Sequence, residues 1–203
     1  MLTIDLNCDM GEGIGNDSLI MPYISSCSIA CGGHFGNRNS ILESLILAKK
    51  HEVKVGAHPA YPDPKNFGRK SMSLSIHELK QHLKQQLNRF MECCALTKSS
   101  IHHIKPHGAL YNDMFVDKIP TQVFIELIEE FIPDVYIYCS PSSLLEKECR
   151  KVGLKVKLEG FMDRVYNPDA TLRSRSLEGA VLNDLDQIEK QLILMVTQKK
   201  VPI

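Results

Sequence analysis

The sequence predicts an α/β fold, a (β/α) barrel of about seven or fewer strands, and three observations carry that expectation. Short β-prone runs alternate with helical stripes about six times, without a long linker or low-complexity run, which implies a parallel sheet with right-handed crossovers. Polar clusters follow nearly every strand rather than precede it. That is the distribution of a barrel, whose C-terminal face carries the chemistry; an open doubly wound sheet would concentrate its polar groups at one switch point. Finally, 203 residues suit a single domain over 1–203. A chain of that size buries roughly 70% of its unfolded surface and needs no staples.

In order, residues 2–6 alternate weakly and predict a first strand ending in Asn7, Asp9 and Glu12. GEGIG, which follows, lacks the third glycine of a dinucleotide fingerprint. Residues 28–31 predict a second strand leading into Gly32, Gly33 and His34, and then Ile41, Leu42, Leu45 and Ala48 recur at helical spacing. A third strand, 53–57, runs into His58 and a rigid loop containing Pro62, Pro64 and FGRK. Ser75 and Glu78 form a capping-box pattern before the stripe Ile76, Leu79, Leu83, Leu87, Phe90 and Met91. The central stretch IHHIKPHGALYN, 101–112, reads as a strand opening into a polar loop with Lys105, His107, Tyr111 and Asn112. Beyond it come a helical stripe closed by Pro133, a strand at 135–139, and a helix capped by Ser143 with Gly153 as its stop. A strand at 155–158 leads into Glu159, Asp163 and Arg164, and a last helix starts near Asp184 with Ile188, Leu192, Met195 and Val196 inward.

With 24 basic and 24 acidic residues the net charge is zero, so there is no electrostatic case for nucleic acid or an anionic membrane. Residues 1–7 carry no signal-like region, and no window approaches the roughly 20 apolar residues of a membrane span. A cytoplasmic protein is the expectation. Seven cysteines without a CxxC pair read as free thiols in a reducing compartment.

Asp5, Asp9 and Glu12 lie within eight residues and suit acid/base work or a divalent ion, or simply loop solvation. Asp9 with His34 and His58, each directly after a strand, would make an Asp/His/His set for zinc or another transition metal. Lys105 and His107 alternate, so they share one side of their strand, where a lysine can neutralise an oxyanion or phosphate and a histidine can move protons. His102 and His103 are expected on the N-terminal side or the surface, and Asp163 and Arg164 as a local ion pair. No G-x-x-x-x-G-K-[ST] or G-x-S-x-G motif occurs.

Together DLNCDMGEG, SCSIACGGHFGN, VGAHPAYPD with FGRK, IKPHGALYN, EGFMDRVY and LRSRSLEGAV resemble the LamB/YcsF family, the A subunits of prokaryotic 5-oxoprolinase. The likeness runs from about residue 4 to 181. It implies a barrel of the glycoside hydrolase/deacetylase type. It further implies opening of the lactam ring of 5-oxo-L-proline to L-glutamate, with ATP as co-substrate, Mg beside it, and B and C subunits as partners. Carried over residue by residue, the polar motif positions are Asp5, Asn7, Asp9, Glu12, His34, His58, Arg69, Lys105, His107, Tyr111, Asn112, Glu159, Asp163 and Arg164. In that chemistry Lys105, Arg69 and Arg164 would hold phosphoryl charge, and Asp9 or His58 would activate water. Family members usually continue into a final strand with a TLCVHGD-type motif, whereas this sequence stops at KKVPI, so a C-terminally short barrel is expected. Two other readings remain: a metal-dependent hydrolase or deacetylase using Asp9, His34 and His58, and a catalytically inactive scaffold subunit.

Overall fold

The computed structural model describes residues 4–198. Six strands, β1 (Asn7–Met10), β2 (Ser26–Ala30), β3 (Lys54–His58), β4 (Ile101–Ile104), β5 (Tyr136–Cys139) and β6 (Lys155–Leu158), form one sheet in sequential order. Every pairing is parallel. The helices are α1 (Asp17–Ile20), α2 (Arg38–Lys50), α3 (Ile76–Thr97), α4 (Gly108–Asp113), α5 (Lys118–Phe131), α6 (Leu144–Lys151) and α7 (Leu185–Gln198). The expected α/β class and barrel-like strand order hold. Among the described residues β6 does not pair with β1, yet the sheet curls until its flanks meet. The Tyr138 hydroxyl of β5 donates to the Asp5 carboxylate just ahead of β1, and Lys157 Nζ of β6 lies 3.5 Å from it.

Period-two alternation sorts the strand side chains into two layers. Met10, Cys27, Ile29, Val55, Ala57, Ile104, Ile137 and Cys139 face the helices and belong to the apolar core. Leu45, Leu83, Leu87, Phe90, Phe124 and Ile128 meet them from α2, α3 and α5. Asn7, Ser28, His103, Lys105 and Tyr138 point the other way, into a polar barrel interior where they contact one another. Local chemistry sets the helix starts. Asn37 with Ser40 and Ser75 with Glu78 close full capping boxes, and the Ser143 hydroxyl accepts the Glu146 N–H.

Four expectations change. The first strand is β1, Asn7–Met10, rather than 2–6; Leu2 and Thr3 lie outside the described residues, and Ile4 is 49% exposed. Asn7 and Asp9 are strand residues because the barrel interior accepts polar side chains. The loop expected after Lys105 becomes α4 from Gly108 onward, which buries Tyr111 and leaves Asn112 exposed. Ile76, expected inward, is exposed at the first turn of α3. His103, expected on the N-terminal side or the surface, is fully buried in the interior, stacked on Tyr138 at 4.1 Å. The KKVPI segment lies outside the described residues. All seven cysteines are free, as expected, and no described helix is long and apolar enough to cross a membrane.

Gly56 of β3 lies under His103, where an added Cβ would overlap the imidazole ring. Gly56→Ala is expected to cost about 1–3 kcal/mol through overpacking, read as a lower urea midpoint. An unchanged midpoint would mean that the ring is not wedged in place.

Candidate functional site

The C-terminal ends of the strands open into a cavity of about 820 Å³. At its floor, Lys105 directly follows β4. Its Nζ lies 2.8 Å from Asp9 Oδ1, 3.7 Å from Glu159 Oε2 and 3.2 Å from Asn7 Oδ1, so one cation faces three acceptors supplied by β1 and the end of β6. The two carboxylates part company electrostatically. Burial alone would raise the Asp9 pKa, but His58 and Lys105 outweigh it and hold the group well below the usual carboxylate range. For Glu159 burial wins over the attraction of Lys105 and the pKa rises. Its Oε1 is buried without a hydrogen-bond partner among the described residues. Such a split is what an acid/base pair requires.

Beside this group sit three stacked or edge-packed imidazoles. His58 Nδ1–H donates to the Lys105 carbonyl at 2.7 Å, and His107 Nε2–H donates to the Phe67 carbonyl at 3.0 Å. A carbonyl only accepts, so both tautomers are set. The remaining nitrogens, His58 Nε2 and His107 Nδ1, face each other at 2.9 Å. Asp9 Oδ2 lies 3.2 Å from the first and Glu12 Oε1 3.5 Å from the second. Lone pairs therefore converge, at a junction where His58 Nε2 could take up a proton or a metal ion could sit. Asp9, Glu12, His58 and His107 each offer one donor atom, all within 4.8 Å of one another, a nitrogen and oxygen set suited to zinc or a similar divalent ion.

His34 does not join that set, which corrects the Asp9, His34 and His58 expectation. Its Nε2 contacts Glu12 Oε1 at 2.8 Å, its ring stacks on His107 at 3.6 Å, and its Nδ1 has no partner among the described residues. Burial, reinforced by His58, pushes the His34 pKa down to about 3, and the same two causes push His107 down to about 2. Both rings are neutral near pH 7. Burial raises the Glu12 pKa.

A hydrogen-bonded layer underlies Lys105. Ser28 Oγ–H donates to Asn7 Oδ1 at 3.0 Å, and His103 Nε2 lies 3.0 Å from Ser28 Oγ. Asn7 Nδ2 donates to Ser26 Oγ, which fixes the carboxamide with its oxygen toward Lys105. His103, Lys105 and His107 share one alternation, so the signal for His103 was present in the sequence. Ser28 and the Phe67 carbonyl carried none.

Asp5 belongs to the far end of the barrel interior, held by Ser25 and Tyr138 rather than at the mouth. Arg69 lies at the rim, its guanidinium 5.0 Å over the Phe67 ring. Tyr111 hydrogen-bonds Ser140 at 2.9 Å, and Asn112 stands at the cavity edge. Arg164 is buried, donating from Nε to the Ala180 carbonyl and from Nη2 to the Arg173 carbonyl. Among the described residues it forms no ion pair with Asp163, contrary to expectation, and Asp163 does not line the cavity. Backbone carbonyls of the 161–182 excursion outcompete the neighbouring carboxylate for the guanidinium.

The sequence model of the LamB/YcsF family matches residues 4–203. Two proteins named as A subunits of 5-oxoprolinase, from Staphylococcus aureus strains MRSA252 and Newman, are each 39% identical over 205 residues, covering 98% of this chain and 82% of theirs. The crystal structure of a lactam utilization protein from Thermus thermophilus aligns with a TM-score of 0.91 and 36% identity, covering 98% of this chain and 83% of that one.

Proposed function

The chain belongs to the LamB/YcsF family, and on that footing we propose that it opens the lactam ring of 5-oxo-L-proline to L-glutamate. ATP, with Mg, is the co-substrate, and the chain acts as the A component beside B and C subunits. The names of its relatives support the substrate and the assembly. The observation that carries the chemistry is the pair of carboxylates with opposite protonation tendencies around Lys105.

In this reading the γ-phosphoryl group is transferred to the lactam oxygen, which makes that oxygen a leaving group. Water adds to the ring carbon and the C–N bond breaks to leave an acyl phosphate on the opened chain, and a second water hydrolyses that acyl phosphate to L-glutamate and phosphate. His58 Nε2 takes the water proton, and Asp9 and His107 stabilise the imidazolium that forms. Glu159, with its raised pKa and unpartnered oxygen, gives a proton to the departing ring nitrogen. Lys105 and Arg69 hold the phosphoryl charge, and Arg164 lines the same cavity beside them. Asn7, Glu12, Tyr111 and Asn112 shape the pocket. Release of glutamate and phosphate from 5-oxoproline and ATP, measured with this chain alone and with B and C subunits, tests the reading. Product only with the partners supports it; no product in any combination from folded protein defeats it.

A second reading, metal-dependent hydrolysis, is favoured by the four converging donors. A divalent ion bound there would supply water of lowered pKa. His58 Nε2 would then be a ligand and no longer free to act as base, so the two readings exclude each other at that atom. Elemental analysis of the purified chain separates them. A stoichiometric ion whose removal by chelator lowers Tm by several degrees and abolishes ATP-independent hydrolysis would select the second. A metal-free protein with unchanged Tm would remove it.

A further inference from the structure

We propose that Arg69 and Lys70 on one loop and Arg173 and Arg175 on another form a docking rim for a polyphosphate chain, the class of group carried by a nucleoside triphosphate. The inference rests on and deepens the lactam-opening reading, which sets Lys105 and Arg69 on the transferred phosphoryl group but leaves the rest of the polyphosphate unplaced, and it is argued from separate observations. All four residues line the same cavity. Among the described residues none of them, nor the adjacent Arg164, lies within 4.0 Å of a carboxylate. Elsewhere in this neutral chain cations do find partners, as Lys80 does with Glu126, Arg150 with Glu146 and Lys155 with Asp134.

The rim is also built rather than accidental. The Arg173 N–H donates to the Val165 carbonyl at 2.9 Å, and buried Arg164 Nη2 donates to the Arg173 carbonyl at 2.7 Å. Tyr166 and Leu172 pair across the same excursion. On the opposite loop, the Ala109 N–H holds the Gly68 carbonyl at 2.9 Å, and the Ser71 hydroxyl holds Asp113 at 2.8 Å. Burial and the Arg175 charge together lower the pKa of both Arg69 and Arg164, outweighing the opposing pull of Glu12 on the first and Asp163 on the second, so like charges are held close. The carboxylates that line the cavity are engaged elsewhere, Asp9 by Lys105 and Glu12 by His34.

Charge matching selects the ligand. A lactam acid brings one carboxylate, which a single arginine fork can bind. A triphosphate tail carries several negative charges and many acceptor oxygens, and arginine binds phosphate through paired N–H donors. Without a glycine-rich phosphate loop, side chains must supply this recognition.

Calorimetric titration of the full chain with orthophosphate, inorganic tripolyphosphate and ATP tests the proposal. Tripolyphosphate should bind at least tenfold tighter than orthophosphate, weaken steeply with added salt, and lose at least tenfold in the double variant R173Q/R175Q. Both side chains are at least partly exposed, and circular dichroism and Tm verify the variant's fold. ATP tighter than tripolyphosphate would identify a nucleotide as the source, and equal affinity would mean the phosphates alone are read. Equal affinity for orthophosphate and tripolyphosphate, or no loss in the variant, would mean an adventitious ion only and overturn the proposal. Binding needs no turnover, so failure of lactam hydrolysis leaves this result standing, and the reverse holds too.

Discussion

Asp9→Asn should reduce turnover of 5-oxoproline by roughly 10²–10⁴, the range for loss of a positioned acid/base group. Asparagine keeps the shape of the side chain and removes its charge. His58 then loses the carboxylate that stabilises its imidazolium form, at 3.2 Å, and Lys105 loses its nearest counter-ion, at 2.8 Å. Breaking a fully buried pair costs about 3–5 kcal/mol. Here the Asp9 side chain is 34% exposed and Glu159 remains near Lys105, so a loss of roughly 1–3 kcal/mol is expected. The variant therefore folds, and its kcat can be measured with the partner subunits present. Turnover within tenfold of the parent would exclude Asp9 from the chemistry. A fall in kcat/KM with unchanged kcat would make it a binding group instead.

The second large effect is acid lability. His34, His103 and His107 are buried and held neutral, with pKa values of about 3, well below 6.5, and about 2. Burial is the leading cause in each, and in the unfolded chain each titrates near 6.5. Below that pH the unfolded state binds protons that the folded state refuses, so folding stability falls as pH falls. Three such groups give a slope of about 4 kcal/mol per pH unit once well below 6.5, a large share of a typical 5–15 kcal/mol. Urea midpoints of metal-free protein between pH 7.5 and 5.5 should drop accordingly, and His103→Gln should remove about a third of the slope. A flat profile would show that the rings protonate in place, which their packing forbids.

Much of the fold was legible because its signals are local. Ser75 with Glu78 and Ser143 with Glu146 announce helix starts within four residues. The stripe Leu79, Leu83, Leu87 and Phe90 announces the buried face of α3 within a few turns. Alternation alone puts Lys105 and His107 on one side of a strand, and the polar residues after successive strands point to one mouth. Apolar alternation at Leu2, Ile4 and Leu6 predicts the first strand several residues too early. In this barrel the interior layer is polar, so Asn7 and Asp9 occupy strand positions that a solid apolar core would not tolerate.

What the sequence by itself determined, then, is the order of elements, the helix caps and the set of polar groups delivered to one end of the sheet. Only the tertiary structure decided which of those groups meet. The curl of the sheet exchanged His34 for Glu12 and His107 in the four-donor cluster, moved Asp5 to the far end of the interior, and buried His103 beneath Lys105. Protonation is decided there as well. Asp9 and Glu159 are both carboxylates in or after β-forming runs, and only their distances from Lys105 and His58, with the surrounding burial, push one pKa down and the other up. The physical reason is range: propensity and periodicity act over a turn or a strand, whereas convergence and electrostatics depend on contacts between residues as far apart as Asn7 and Lys105.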